Sequence, residues 1–227
     1  MFTYFVLAFH MLRESIAAGE LGALLKRQIS WDRSLTPVEM DLSGPLPGGT
    51  LPADSEMRFV ELRLEDIQAR KWAFAVQSRA IKAHSKLKRG IRGFAFVSGQ
   101  MVIGDVWCIT PPIGQSISHP EFRILGLTSA AHEAFAFDML IDPKYRGKNL
   151  AAPLQRSLQH ALKKEGFLKV YGSYYDDNLP ALWMHRMLKF KELPKRKVTR
   201  FFFYSKAAFL DDVRRPVILT NTSQKGN

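Results

Sequence analysis

The chain of 227 residues holds a single cysteine, Cys108. One thiol excludes an internal disulfide framework and a Cys-rich zinc site, and it points to a reducing compartment, the cytoplasm. Cys108 sits inside the apolar run 106–109, so it reads as a small core residue rather than a nucleophile. Long apolar runs are missing as well. The N-terminal stretch 1–9 is apolar, but His10 and Arg13 follow it, no basic region leads it, and it falls short of the roughly 20 residues that cross a bilayer. Neither a cleaved signal nor a membrane-spanning helix is expected there. The reading it leaves is an amphipathic segment lying on the body, a partner or a membrane surface. Internal repeats are absent. Acidic residues are scarce, with 21 Asp and Glu against 33 Lys and Arg, a net charge of +12.

That excess is concentrated. Residues 141–200 carry 14 Lys and Arg against 5 Asp and Glu, which makes this stretch the candidate face for an anionic partner: a nucleic acid, a lipid surface or a phosphorylated cofactor. No zinc-finger spacing, RNP-type aromatic motif or helix-turn-helix accompanies it, so nucleic acid is not the partner expected. Hydrophobic residues make up 46% of the chain and 16 are Phe, enough to build a packed core over this length.

Patterning divides the chain into three. Residues 1–56 read as an N-terminal arm, helical over 11–28 and extended over 29–42, closed by the Pro/Gly-rich linker 43–52. A main domain spans 57–210, and 211–227 form a polar tail. Within the domain the pattern predicts a strand at 59–63, helices at 64–77 and 78–88, and a hairpin of 93–97 with 101–109 around Gly99. A loop-like stretch follows at 111–130, then an apolar strand at 133–141 and a helix at 150–164. The helix carries Leu150, Leu154, Leu158, Ala161 and Leu162 on one stripe and stops at Gly166. A strand at 167–171, a helix at 179–188 and a last strand at 198–204 complete an α/β domain with a mixed sheet. Trp72, Trp107 and Trp183 read as core rather than stacking platforms, and Asn221-Thr-Ser223 reads as a chance glycosylation tripeptide in that compartment.

Two segments carry chemistry. In the first, the strand ending at Leu140 and Ile141 runs through Asp142-Pro143 into a basic turn of Arg146, Gly147, Lys148 and Asn149, and a helix begins at Leu150 and Ala151. Backbone N–H groups at a helix N-terminus point outward, and the helix dipole favours an anion there. Gly147 permits close backbone approach, while Arg146 and Lys148 add charge for phosphate oxygens. In the second, Asn178 is a good helix cap, Pro180 suits a first turn, and His185 lies mid-helix where its titration range suits proton transfer.

Together these segments resemble the GNAT acetyltransferase superfamily. The turn from Arg146 to Ala151 is similar to that family's Arg/Gln-x-x-Gly-x-Gly/Ala loop, and the run from Asn178 to Phe190 to its Asn-x-x-Ala…Tyr-x-x-x-Gly-Phe segment. The resemblance covers about residues 57–204 and is specific over 133–190. It implies a GNAT-like fold, a mixed and mostly antiparallel central sheet flanked by helices. It also implies acetyl-CoA or another acyl-CoA as co-substrate, with its pyrophosphate on the cradle of Leu140, Ile141, Arg146, Gly147, Lys148, Asn149, Leu150, Ala151 and Asn178. No metal is expected. The implied reaction is acyl transfer, most simply acetyl, to an unidentified primary amine by direct attack. His185 would protonate the departing thiolate, with Tyr174 or Tyr175 as substitutes, and Glu133 would take the amine proton, with His132 and Asp138 behind it.

Three departures stand out. Asn149 replaces a Gly of the loop, Lys189 replaces the Gly before Phe190, and His185 stands where the family commonly has Tyr. They keep a second reading open, a catalytically silent acyl-CoA-binding or scaffold protein. The arm and basic surface keep open a peripheral membrane or acidic partner and a homodimer contact.

Overall fold

The computed structural model describes residues 2–17, 30–48, 51, 56–112, 115–201 and 204–209. Its strands are β1 (Ser30–Asp41), β2 (Met57–Leu62), β3 (Arg92–Ser98), β4 (Met101–Ile109), β5 (Glu133–Ile141), β6 (Lys169–Tyr175), β7 (Lys191–Glu192), β8 (Arg196–Phe201) and β9 (Tyr204–Phe209). They form one sheet in the order β2-β3-β4-β5-β6-β1-β8-β9, with β7 beside β1. Among these strands β5 and β6 pair in parallel and the other ladders are antiparallel. The helices are α1 (Phe2–Ala17), α2 (Leu64–Gln68), α3 (Gln77–Lys88), α4 (Pro120–Ile124), α5 (Ala151–Lys164) and α6 (Leu179–Met187).

Alternation along the strands sorts the core into two faces. Phe94, Phe96, Ile103 and Val106 point to the side covered by α5 and α6, where Leu154, Leu158 and Leu162 are fully buried. Ala95, Val97, Val102 and Trp107 point the other way, against Trp72 and against Ala83 of α3. Next to that layer, α4 and its flanking loop bring Ile117, Phe122 and Leu125 onto Phe135 and Tyr171. The sheet is thus mostly antiparallel, mixed and flanked by helices, as expected.

Several boundaries differ from the sequence reading. The helix expected over 11–28 is α1, which starts at Phe2 because the apolar run 2–9 continues its pattern; residues 18–29 lie outside the description. The helix expected over 64–77 is only the five residues of α2, since the chain turns at Ala69 and Arg70, where φ reaches +54°. A short helix, α4, sits in the stretch read as loop, and the final strand is two, β8 and β9. Trp183, expected in the core, is 64% exposed, because its position on α6 faces away from α5 and the sheet. The tail 211–227, including Asn221, lies outside the described residues.

The extended half of the arm does not stand apart from the domain. β1 pairs with β6 along Leu35–Asp41 and with β8 along Ser30–Leu35, deep inside the sheet. Leu35, Thr36 and Val38 are buried in consequence. Proline is rarely found in such a strand, yet Pro37 is tolerated for a local reason. The β8 ladder ends at Leu35 and the β7 ladder begins at Val38. Pro37 points its carbonyl into that gap, accepting from Leu193 N at 2.9 Å, and its missing N–H faces the same gap. Helix α1 docks on α3 instead of the sheet. Glu14 accepts from the backbone N of Ser78 at 3.0 Å and from its hydroxyl, capping a helix whose own N-cap, Val76, has no side chain to do so.

One glycine is required by close approach. A Cβ on Gly93 would lie 2.7 Å from the ring of Trp107, which is fully buried and donates its indole N–H to Asp105 at 2.6 Å. Gly93→Ala is therefore expected to destabilise the fold by about 1–3 kcal/mol through overpacking. Chemical denaturation would read this as a lower midpoint at unchanged slope.

Candidate functional site

The parallel pairing of β5 and β6 lasts for three residue pairs, Glu133/Lys169, Ala134/Val170 and Phe135/Tyr171, and then stops. Beyond it β5 continues to pair with β4 alone, while β6 pairs with β1. The strands part, and the seam between them opens into a cavity of about 300 Å³. Residues 136–139 of β5 form one wall and 172–175 of β6 the other, with Asn178, Ala181, Met184 and His185 of the α6 segment across the opening. Gln155, one turn into α5, lines the same space.

The turn between β5 and α5 is built for outward-facing N–H groups. Asp142 is buried and accepts from Lys144 N at 3.0 Å, starting the short 3-10 turn Pro143–Tyr145. Gly147 follows at φ +81° and Asn149 at φ +53°. Asn149 therefore adopts the left-handed conformation that its position in the loop requires, one that Asn tolerates better than most residues. The N-cap of α5, Leu150, makes no side-chain cap, and its first turn holds no acidic residue, so no side chain of this helix competes for its N-terminal dipole. Arg146 and Lys148 are exposed beside it, with the Lys148 ammonium 5.1 Å from the centre of the Tyr145 ring. Leu150 is buried in the core and Ala151 packs on its edge, so these two fix the helix start. Leu140 and Ile141 are held on their β4 side, opposite Asp105 and Gly104.

The sequence-derived residues do not all converge. Arg146 to Ala151 share the turn, and Asn178 and His185 line the seam. Asn178 also caps α6, accepting from Ala181 N at 3.3 Å. Glu133 is elsewhere: it starts β5 at the paired end, five residues before Asp138. It is 7% exposed and engaged by Ala130 N at 2.7 Å, the Tyr171 hydroxyl at 3.4 Å and the Lys169 ammonium at 3.7 Å. That set ties down the loop before β5, and Glu133 is not among the residues that line the opening.

His185 is 8% exposed, stacked on Tyr174 and edge-on to Phe190. Its Nδ1 lies 2.7 Å from the carbonyl oxygen of Ala181. A carbonyl only accepts, so Nδ1 carries the proton and Nε2 holds a free lone pair. Nε2 faces Gly172 across the seam, 3.7 Å from where a Cβ would stand. Burial pushes the imidazole below its ordinary pKa, with the Ala181 carbonyl and Glu192 opposing. A neutral imidazole of this tautomer takes a proton at Nε2 before it can give one. Tyr174 is no ready substitute as donor: burial and a hydrogen bond to Glu192 push its hydroxyl up to about 12. Cys108 is fully buried, and burial likewise pushes its thiol up to about 12, which removes it as a nucleophile.

Four residues that matter here were not singled out in the sequence. Gly172 leaves a space that a Cβ would fill at ordinary contact distance, 3.4 to 3.7 Å from Val38, the Ala136 carbonyl and His185, and an isolated Gly inside a strand is a signal that such a position exists. Asp105 is a charge inside an apolar strand, 2% exposed, which demands a buried partner. Arg79 supplies it with bonds of 2.7 to 3.1 Å, and also reaches Asp138 Oδ1 at 2.7 Å. Lys86 pairs with the other oxygen of Asp138, and burial pushes its ammonium down to about 8. Burial opposes the charge of Asp138, but Arg79 and Lys86 outweigh it and hold the carboxyl below its ordinary value. With both oxygens engaged, Asp138 is a poor proton acceptor. Among the described residues no cluster of three or more His, Cys, Asp or Glu is placed to hold a metal, and no helix is long and apolar enough to cross a membrane.

No family model and no curated protein matches the chain. Solved structures do. An acetyltransferase of the GNAT family from Novosphingobium aromaticivorans is 18% identical with a TM-score of 0.50, over 74% of this chain and 64% of that one. A GCN5-related N-acetyltransferase from Sphaerobacter thermophilus is 12% identical with a TM-score of 0.48, over 80% and 55%. AAC(6')-Iy, in complex with the bisubstrate analogue CoA-S-monomethyl-acetylneamine, is 16% identical with a TM-score of 0.45, over 66% and 97%. The chain thus spans less than two thirds of the length of the first two. The likeness to the Novosphingobium structure shows the GNAT fold.

The buried neutral imidazole has a consequence for stability. Its folded pKa lies below the 6.5 of the unfolded chain, so the unfolded state binds more protons as pH falls. The contribution of His185 is complete above that value and is lost as pH drops toward the folded one. Thermal unfolding from neutral to mildly acidic pH should show a steeper fall in Tm for the wild type than for His185→Gln.

Proposed function

We propose that this chain is an acyl-CoA-dependent N-acyltransferase, most simply transferring acetyl from acetyl-CoA to a primary amine. The observation that carries the reading is the open seam between β5 and β6, lined by Gln155 one turn from an uncapped helix N-terminus that Arg146 and Lys148 flank. The pyrophosphate fits the turn, with N–H groups of the 147–151 backbone and the two cations as its partners. The pantetheine arm fits the seam, against the β5 backbone from Ala136 to Ile141. Leu140, Ile141, Leu150 and Ala151 shape this cradle from the core side.

His185 takes a different role from the one expected of it. The amine nitrogen attacks the thioester carbonyl carbon, the C–N bond forms, and the C–S bond breaks as the tetrahedral intermediate collapses. Nε2 of His185 accepts the proton lost by nitrogen, and the resulting imidazolium then passes it to the CoA thiolate. A neutral imidazole is the form that can begin this cycle. Glu133 has no place in it. Asn178 holds the first turn of α6 and through it the wall that carries His185.

Incubation with acetyl-CoA and a panel of primary amines, read as release of free thiol, tests the activity. His185→Ala should lower turnover by about 10²–10⁴ while CoA binding stays close to that of the wild type. Arg146→Ala combined with Lys148→Ala should weaken CoA binding at least about tenfold, given roughly 1.5–3 kcal/mol for each charge-assisted contact; unchanged affinity would remove the cradle. The second reading, a catalytically silent acyl-CoA-binding or scaffold protein, draws on the engaged Tyr174 hydroxyl and the inability of neutral His185 to start as a donor. CoA binding without transfer to any amine would establish it.

A further inference from the structure

β5 carries one residue more than β4 across their shared ladder. Asp105 pairs with Leu140 and Trp107 with Phe137, so Asp138 and Met139 together stand opposite Val106. The surplus is absorbed at Asp138, whose φ is +49°. A bulge of this kind turns the strand and frees its backbone groups from the ladder, and a non-glycine residue stays left-handed only when its surroundings impose it. Phe137, Asp138 and Met139 are also among the β5 residues that line the seam.

The imposing element is α3. Arg79 and Lys86 are seven residues apart, two helical turns, and so project from one face of the helix. Arg79 grips Asp138 twice, through the carboxylate at 2.7 Å and through the main-chain carbonyl at 2.6 Å, which the bulge has turned out of the sheet. Lys86 takes the second carboxylate oxygen while its ammonium lies over the rings of Trp107 and Phe137, at 4.6 and 5.2 Å from their centres. Asp105, itself fixed by the Trp107 indole, anchors Arg79 from β4. Arg79, Lys86 and Asp105 are all buried. None of them lines the seam, so none is placed to touch a cofactor there; they act on what does.

We propose that Arg79 and Lys86 are positioning residues, which clamp Asp138 in its left-handed turn and thereby set how the β5 backbone meets the acyl group in the seam. The inference rests on the acyl-CoA reading above. Its consequence is that the clamp governs polarisation of the thioester carbonyl rather than affinity for the nucleotide end of the cofactor, which binds at the α5 turn.

Acetyl-CoA carrying carbon-13 at its thioester carbonyl, observed by isotope-edited infrared difference spectroscopy without an acceptor, reads this directly, with calorimetric CoA binding measured in parallel. In the wild type the bound carbonyl band should lie below its position in buffer. Lys86→Met keeps an apolar stem against Trp107 and Phe137 and leaves Arg79 with Asp105, so it is expected to fold; its band should return toward the solution value while CoA affinity stays within about threefold. Asp138→Ala should do the same or more. Asp138→Gly, which adopts positive φ without help, should retain the wild-type band. In that background Lys86→Met should have no further effect. A band unmoved by Lys86→Met in a wild-type background would overturn the clamp while leaving the acyl-CoA reading intact, as would equal effects of Lys86→Met with and without Asp138→Gly. Failure of the wild type to bind CoA would overturn both.

Discussion

Two parallel strands that stop pairing after three residues set the arrangement of everything else in this protein. A backbone strand that loses its neighbour inside a sheet exposes polar groups that must find partners or water. Here the loss is confined to one side of β5, since β4 continues to hold the other. The helices on one face close over the resulting gap: α5 brings Gln155, one turn past its start, to the seam and α6 brings His185 to its wall. The opposite face provides the stiffening, through a charged cluster that lies outside the opening and reaches it by way of Asp138.

Much of this was legible in the sequence, for identifiable reasons. The β5 strand was found at its true ends because nine apolar-rich residues are bounded by a loop and by Asp142-Pro143. The stripe of Leu154, Leu158 and Leu162 marked α5, and its left-handed stop at Gly166 followed. What could not be read was long-range partnership. Nothing in the pattern of residues 30–41 says that this strand inserts between β6 and β8 rather than lying on the surface as an arm. Glu133 is marked in the sequence as a carboxylate at the start of the strand that the resemblance implicates, but the point where β5 and β6 separate depends on their register, which sequence does not display. The tautomer of His185 was equally hidden, because it is decided by a single carbonyl four residues earlier.

The two departures from glycine have a shared physical meaning. Asn149 and Lys189 both stand at positive φ, +53° and +61°. Lys189 closes α6: Phe190 N donates to the His185 carbonyl at 3.0 Å, which requires a left-handed residue between them. The chain thus keeps the backbone course and accepts roughly 1–2 kcal/mol of side-chain crowding for a non-glycine residue in that region, somewhat less for Asn. Departure in sequence at these positions is not departure in shape.

The place of β1 sets an order of events as well as a position. Thr36 lies opposite Tyr174 and donates its hydroxyl to Asp176 at 2.7 Å, and Arg33 lies opposite Val198, so this early strand is completed by segments made much later. During synthesis the β2-β3-β4 meander and the helices that cover it can assemble from neighbours in sequence, whereas β1 waits for more than half of the chain. Loop closure over such a separation slows folding. It also means that the floor beneath the seam, where Val38 faces Gly172, is laid only when the C-terminal strands arrive. A chain interrupted before β6 would hold the turn of Arg146 and the helix behind it without the wall opposite, so the seam takes shape only once β6 has paired with both β5 and β1.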